Sequence, residues 1–404
     1  MKRFQLMASM MVAVSLLAGC SAGDEKENPN IHPERPEPIV EKPFPELIIN
    51  TAGKEDIKSK DIWLEGASIS YKDIEGNAIN YGKTSVKGRG NSTWGYPKKP
   101  YTVKLDEKTE FIGLPKEKRF NLLADYIDRT HLRNSVSFEI ARKAKALDWT
   151  PAGTYVNLTL NGKKMGLYYL CEHIKVAKNR VNLKDGGYIL ELDTYYDEDF
   201  KFRSKILNLP IQLKDPDPED FSETDLASIE EYFNAAEDSV VNGGNWRELI
   251  DEDSFADWWI VLELTQCGEP AHPKSCYMHR DKDGKLKAGP VWDFDWGTFR
   301  SGGEVTAFRC KKAIWYEYLF KDKDFVAKVK ERWNTTKGSY LSVEKFIHET
   351  ALYIENAVAE DDRMWPMTTE TNKDEKLSFD AAVSTLKSNF KKHWEWMDEQ
   401  INAM

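Results

Sequence analysis

Cysteine is scarce, five in 404 residues, and no two are spaced Cys-x-x-Cys, so neither a zinc ribbon nor a thioredoxin-like redox site is expected. A basic surplus is also lacking. The 57 Lys and Arg face 67 Asp and Glu, a formal net charge of -10, so no nucleic-acid partner is expected. After Cys20 no apolar run approaches the ~18 residues that a membrane span needs. Serine-hydrolase and metalloprotease chemistry are disfavoured because neither Gly-x-Ser-x-Gly nor His-Glu-x-x-His occurs. No period of about 20–50 residues recurs, which sets aside solenoids and propellers. What is abundant is core material: 41% hydrophobic residues, 31% charged and 13 Trp describe a large soluble globular protein.

The N-terminus reads as an export signal. Lys2 and Arg3 precede an apolar run from Phe4 to Leu17, and Leu17-Ala18-Gly19-Cys20 resembles the bacterial lipobox. Residues 1–19 are therefore expected to be a signal peptide and Cys20 the lipidation site; an ordinary signal-peptidase cut at Ala18-Gly19-Cys20 is the alternative. Residues 20–45 hold six of the 17 prolines and almost no apolar side chains, the composition of an extended tether. Asp24, Glu25 and Glu27 resemble acidic export tags of surface lipoproteins. Together these features point to an outer-membrane or cell-surface lipoprotein that meets the membrane through its lipid anchor only. The other four cysteines, Cys171, Cys267, Cys276 and Cys310, allow three disulfide pairings or buried free thiols.

Residues 46–404 are predicted to be one α+β domain of two lobes. Short β-rich runs from Glu46 to Leu105, punctuated by Gly53, Gly66 and Gly76, predict an antiparallel sheet. Leu132, Val136, Ile140 and Ala144 repeat at helical spacing, and Thr154–Ile174 reads as a hairpin turned by Asn161-Gly162. Helices are predicted over 225–242 and 254–264, strands over 276–279 and 286–295, and mostly helix from 321 to 404. The β-rich lobe is placed at about 46–215 and the helix-rich lobe at about 216–404, with a cleft between them.

Two constellations carry chemistry. In Gly289-Pro290-Val291-Trp292-Asp293-Phe294-Asp295-Trp296-Gly297, strand alternation would put Asp293 and Asp295 on one face and the aromatic rings on the other. Paired carboxylates suit magnesium or calcium; the bland reading is that they cap amides in the turn at Gly297. The second constellation is Lys87-Gly88-Arg89-Gly90-Asn91, where glycines let a backbone approach an anion and Arg89 can fork onto phosphate oxygens. Downstream, Lys99 falls in register with Tyr101, Val103 and Leu105 and needs an inward partner, phosphate or Glu139. Pro100 breaking that register, with Lys98, Lys99 and Lys104 all solvated, is the alternative. Asp128, Arg133 and Asn134 flank a helix start and read as caps.

Four stretches, KGRGNSTWGYPKKPYTVKL from Lys87, LLADYIDRTHLRN from Leu122, NGKKMGLYYLCEHI from Asn161 and DGKLKAGPVWDFDWGTF from Asp283, resemble the CotH-like family of secreted atypical protein kinases. The resemblance implies a kinase-like two-lobed fold, ATP with magnesium or manganese as cofactors, and a transferase that moves the γ-phosphate to Ser/Thr hydroxyls of a protein partner. It implies Asp293 as a metal ligand and puts Glu269 at the position of the catalytic acid; with the readings from the residues themselves, Asp295 is a second candidate ligand, Arg89, Lys99 and Glu139 are candidates for ATP binding, and Glu269 with Asp293 is the candidate catalytic pair. The family pattern upstream resembles Asn-x-Asp followed by Arg-Asn-Tyr. This chain has Cys267-Gly268-Glu269 and Lys274-Ser275-Cys276-Tyr277 there, a longer carboxylate and a hydroxyl in place of an amide. A second reading follows from those departures, a weak or inactive kinase-like lipoprotein that recruits protein or glycan. At the N-terminus, mass spectrometry of the mature protein should find Cys20 as the diacylated first residue; an unmodified N-terminal residue rules out the lipobox.

Overall fold

Alternating apolar side chains in the first half close upon themselves. In the computed structural model, which describes residues 43–217 and 221–404, seven strands form a closed barrel. These are β1 (Glu46–Asn50), β2 (Leu64–Lys72), β3 (Ala78–Gly88), β4 (Tyr101–Phe111), β5 (Leu114–Leu123), β6 (Gly153–Leu160) and β7 (Lys163–Glu172). The order is β1-β2-β3-β4-β5-β7-β6. Leu47, Ile69, Val103, Phe120 and Leu158 meet inside it because inward positions recur every second residue. The expected antiparallel sheet is there, but β1 also pairs in parallel with β6, which removes both edges. Asn161 (φ 54) and Gly162 (φ 81) turn the β6–β7 hairpin as expected, both left-handed. The Asn161 side chain also accepts the Thr51 amide at 2.9 Å, fixing the end of β1. Cys20 and the tether up to residue 42 lie outside the described residues.

A second sheet has the order β12-β11-β8-β10-β9. Its strands are β8 (Tyr188–Leu192), β9 (Lys201–Arg203), β10 (Pro210–Asp215), β11 (Cys276–Arg280) and β12 (Leu286–Ala288). Strands before and after residue 216 thus share one sheet, with Cys276 opposite Leu192. The helices are α1 (Arg133–Ala141), α2 (Glu223–Val241), α3 (Glu252–Leu264), α4 (Tyr316–Leu319), α5 (Lys323–Tyr340), α6 (Val343–Met364) and α7 (Phe379–Ala403). Ser222, Asp251, Asp322 and Ser378 cap α2, α3, α5 and α7 by accepting first-turn amides. Trp258 and Trp259 on α3 are buried, as are Trp315 and Trp333, so most large rings anchor the helix-rich lobe.

Two register expectations are corrected. The strand predicted to reach Asp295 ends at Ala288, because Gly289 takes φ 99 and turns the chain out of the sheet. On β4, Pro100 precedes the first strand residue, so alternation does not extend back to the lysines. Lys98, not Lys99, is the buried one. Its ammonium sits 2.8 Å from Asp361 on α6, donates to the Leu167 carbonyl and lies 4.7 Å from the centre of the Tyr168 ring. Asp361 also accepts the Leu167 amide at 2.8 Å. Gly166 is required there: a Cβ would stand 2.0 Å from an Asp361 oxygen. Asp361→Ala strands the Lys98 charge and should cost about 3–5 kcal/mol in urea melts, while Lys98→Met with Asp361→Leu should recover most of it. Equal loss in both would show that burial of the pair is not the cause.

Candidate functional site

Where the chain leaves β12 it has no strand partner, and side chains hold it instead. Trp292 and Phe294 pack on Phe138 of α1, at ring separations of 5.7 and 5.9 Å. With those rings as anchors, Asp293 (φ 64) and Asp295 border a cleft of about 620 Å³ between the barrel and the second sheet. The two acids therefore reach one space without strand alternation. The Phe294 amide donates to Asn134 Oδ1 at 3.0 Å, and Asn134 Nδ2 donates to Asp125 at 2.9 Å, bringing a third carboxylate to the cleft. Asp128 does cap α1, accepting the Arg133 amide at 2.8 Å, and it also pairs with the buried Arg133 guanidinium.

The acidic side is crowded enough to hold protons. Burial raises Asp293, partly offset by Arg89 and by a hydrogen bond from Ser275. Asp295 is raised well above the carboxylate range by burial and then by Asp293 and Asp125. Asp125 is pushed up to about 7 by burial and by Asp128. Glu269, in a short turn after α3, is pushed up to about 8 by burial and by Asp293, and its buried Oε2 has no hydrogen-bond partner. Like charges near one another in a poorly solvated space favour a proton or a cation between them. Among the described residues, no group of three or more His, Cys, Asp or Glu is arranged to hold a metal ion by itself.

Cationic side chains line the same cleft. Lys87 at the end of β3 lies 5.0 Å from the Trp63 ring centre, and Arg89 lies 5.4 Å from that of Trp292. Neither forms an ion pair with a carboxylate among the described residues. Lys214 does, with Glu191 at 3.1 Å and Glu198 at 2.8 Å. His173 Nδ1 lies 3.3 Å from Asn121 Nδ2, a donor, so that ring nitrogen is the acceptor. Burial, then Arg119, Lys214 and Arg89, lowers its pKa well below the usual value and keeps the ring neutral. The glycines of this loop answer to packing: a Cβ on Gly88 would lie 2.4 Å from Trp94, and Gly90 has φ 82. The Gly88 and Arg89 amides bond to Ser59 and Pro100 carbonyls, so those two do not face a ligand.

Of the residues singled out in the sequence, Arg89, Glu269, Asp293 and Asp295 converge on this cleft. Lys99 and Glu139 do not. Lys99 donates to the Trp94 carbonyl at 2.7 Å, and Glu139 pairs with Arg142 and Lys143 on its own helix at 3.0 and 2.8 Å. The expected Lys99–Glu139 contact is absent because Lys99 precedes the strand and Glu139 turns along α1. Asp125, His173, Glu191 and Lys214 are not expected site residues from the sequence, and Lys87 enters only as the first residue of its glycine-rich loop. Lys87, Asp125 and His173 lie in stretches that resemble the family, whereas Glu191 and Lys214 carry no sequence signal. Cys171, Cys267, Cys276 and Cys310 are buried free thiols. His279 is structural, bonded to the Gly289 carbonyl at 2.9 Å and to Asp148 at 3.2 Å.

A barrel-containing β region joined to a cluster of helices, with acidic and basic side chains lining one space, defines a two-lobed α+β protein with a polar cleft. The match of the CotH kinase protein family to residues 86–403 places the chain in that family, and the chain belongs to it. No curated protein matches the chain.

The raised Glu269 carboxyl has a sign that can be checked. Below about pH 4.5, its ordinary value, folded and unfolded chains both hold the proton; between 4.5 and about 8 only the folded chain does. This group's contribution therefore falls as pH rises through that window and levels off above it. Glu269→Gln should melt like the parent near pH 4.5 and higher than the parent at pH 8, by on the order of 1 kcal/mol or a few °C. A gap that does not change with pH would contradict the raised carboxyl, which faces Asp293, Asp193 and Lys274.

Proposed function

We propose that this protein is an exported lipoprotein that transfers the γ-phosphate of ATP to Ser/Thr hydroxyls of a protein partner. The observation that carries the reading is that Lys87 and Arg89, which form no ion pair among the described residues, line one cleft together with Asp293 and Asp295. Phosphoryl transfer passes through a loose transition state that needs positioning and charge neutralisation more than covalent chemistry. Arg89, stacked on Trp292, can fork onto phosphate oxygens, and Lys87 adds a point charge. The oxygen donors of Asp293, Asp295 and Ser275 fit a hard divalent cation, which keeps water and substrate phosphates as its other ligands. Such an ion, magnesium or manganese, would neutralise charge on the transferred group when bound.

Glu269 completes the assignment. A carboxyl near pH 8 with a free oxygen sits close to working pH, the condition for a group that accepts a hydroxyl proton while orienting it. Lipidation at Cys20 and the tether over 20–45 would hold the domain at the outer membrane or cell surface. Among the described residues no helix is long and apolar enough to cross a membrane. A second reading, a binding lipoprotein without transfer, is favoured by the Glu269 and Ser275 departures and by Trp296 and Tyr195, 39% and 45% exposed beside the cleft.

Thermal melts with and without magnesium-ATP separate the readings. The parent should melt higher with magnesium-ATP by mass action, and Asp293→Asn should lose that rise while its ligand-free melt stays level or climbs, one of two repelling charges being gone. Labelled ATP with casein-like acceptors should then give labelled protein with the parent only. A rise in melting temperature without label supports the binding reading; no rise and no label removes the kinase assignment.

A further inference from the structure

The segment from Asp293 to Gly297 lies outside any sheet, yet its backbone is bound at three points by two buried asparagine side chains. Asn134 takes the Phe294 amide at 3.0 Å. Asn372, 1% exposed, takes the Gly297 amide at 2.8 Å and donates to the Asp295 carbonyl at 2.8 Å and to the Ile127 carbonyl at 2.9 Å. Asn372 thus spans the turn that carries the acids and the turn after β5 that carries Asp125. It sits in the loop joining α6 to α7, which is itself stitched to the second turn. Tyr126 donates to the Pro366 carbonyl at 3.1 Å, Arg133 meets Asp374 at 2.6 Å, and Arg129 donates to the Leu377 carbonyl at 2.8 Å.

We propose that Asn372 is a positioning residue that couples the α6–α7 loop to the cleft, holding the Asp293–Gly297 turn in the one shape that turns both carboxylates inward. A turn with a left-handed aspartate and no ladder takes its order from side chains: ring packing on Phe138 and the Thr298 hydroxyl fix its start, and Asn372 binds the Asp295 carbonyl and the Gly297 amide. Both polar ends of the Asn372 amide are used, so no isosteric side chain reproduces the set: aspartate keeps the acceptor for Gly297 and loses both donors. Groups that orient ligating carboxylates typically change metal affinity about 10–100-fold when removed. The inference rests on the cation assignment of the preceding subsection only for its functional readout.

The test compares parent, Asn372→Ala and a control, Arg129→Ala. The control breaks a different stitch of the same loop, to Leu377 and to Asp362 at 2.7 Å. Hydrogen exchange read by mass spectrometry should show the 293–299 peptide losing protection in Asn372→Ala, with β4 and α3 unchanged. In Arg129→Ala the 293–299 peptide should stay protected. Magnesium titrated against a non-hydrolysable ATP analogue, read as a melting shift, should need about tenfold more metal for half the shift in Asn372→Ala and the parent amount in the control. Unchanged exchange at 293–299 overturns the inference. So does a metal requirement that rises equally in the control, which would reduce Asn372 to general stability. If the parent itself shows no shift with magnesium and the analogue, the phosphotransfer reading fails, and exchange alone then decides whether Asn372 orders the turn.

Discussion

The ion pair between Lys98 and Asp361 is the constraint on which the cleft depends. It joins the barrel to α6 across a dry interface, where neither charge can be solvated and each must be satisfied by the other and by the Leu167 backbone. A buried pair contributes little net stability against apolar residues of the same volume, but it permits only one alignment of the two surfaces it joins. The cleft draws on both the barrel and the rest of the fold: Arg89 and Lys87 belong to the barrel, Glu269 follows α3 and Asp293 follows β12.

Charge in the cleft is separated where it could have been paired. Lys214 is neutralised by Glu191 and Glu198, and Arg133 by Asp128 and Asp374, which shows that the fold pairs buried charges readily. Among the described residues Lys87 and Arg89 rest on tryptophan rings without an ion-pair partner, while Asp295 and Glu269 are pushed toward protonation first by burial and then by Asp293, and Asp293 itself by burial. Such an arrangement lowers the stability of the protein alone, and a ligand carrying both negative oxygens and a bound cation would relieve both sides at once.

Much of this was legible before any coordinates, for reasons tied to particular residues. The β6–β7 hairpin could be read because Asn161-Gly162 is among the few pairs that accept two left-handed residues in succession. Helices α2 and α3 could be read from apolar spacing, though each begins two residues earlier than that spacing predicts, just after the Ser222 and Asp251 caps. Asp293 and Asp295 were found as a pair by a wrong route. Strand alternation does not operate past Gly289, and the two acids meet at the cleft because Trp292 and Phe294 between and beside them are pinned to Phe138. The lysine assignment failed at Pro100 for the same physical reason: periodicity carries information only while the backbone stays periodic.

By itself the sequence determined the class of fold, the Asn161-Gly162 hairpin turn, and the identity of four cleft residues, Arg89, Glu269, Asp293 and Asp295. These follow from local spacing and residue chemistry, which act over a few positions of chain. Only the tertiary structure decided that the first sheet closes through β1 and β6, that Lys98 is the buried lysine, and that Lys99 and Glu139 stay out of the cleft. It also decided that Asn372, more than 70 residues beyond Asp295, holds the turn of the acids. Each of those outcomes is a contact between segments distant in sequence, and a contact of that kind is set by packing, to which no local pattern refers.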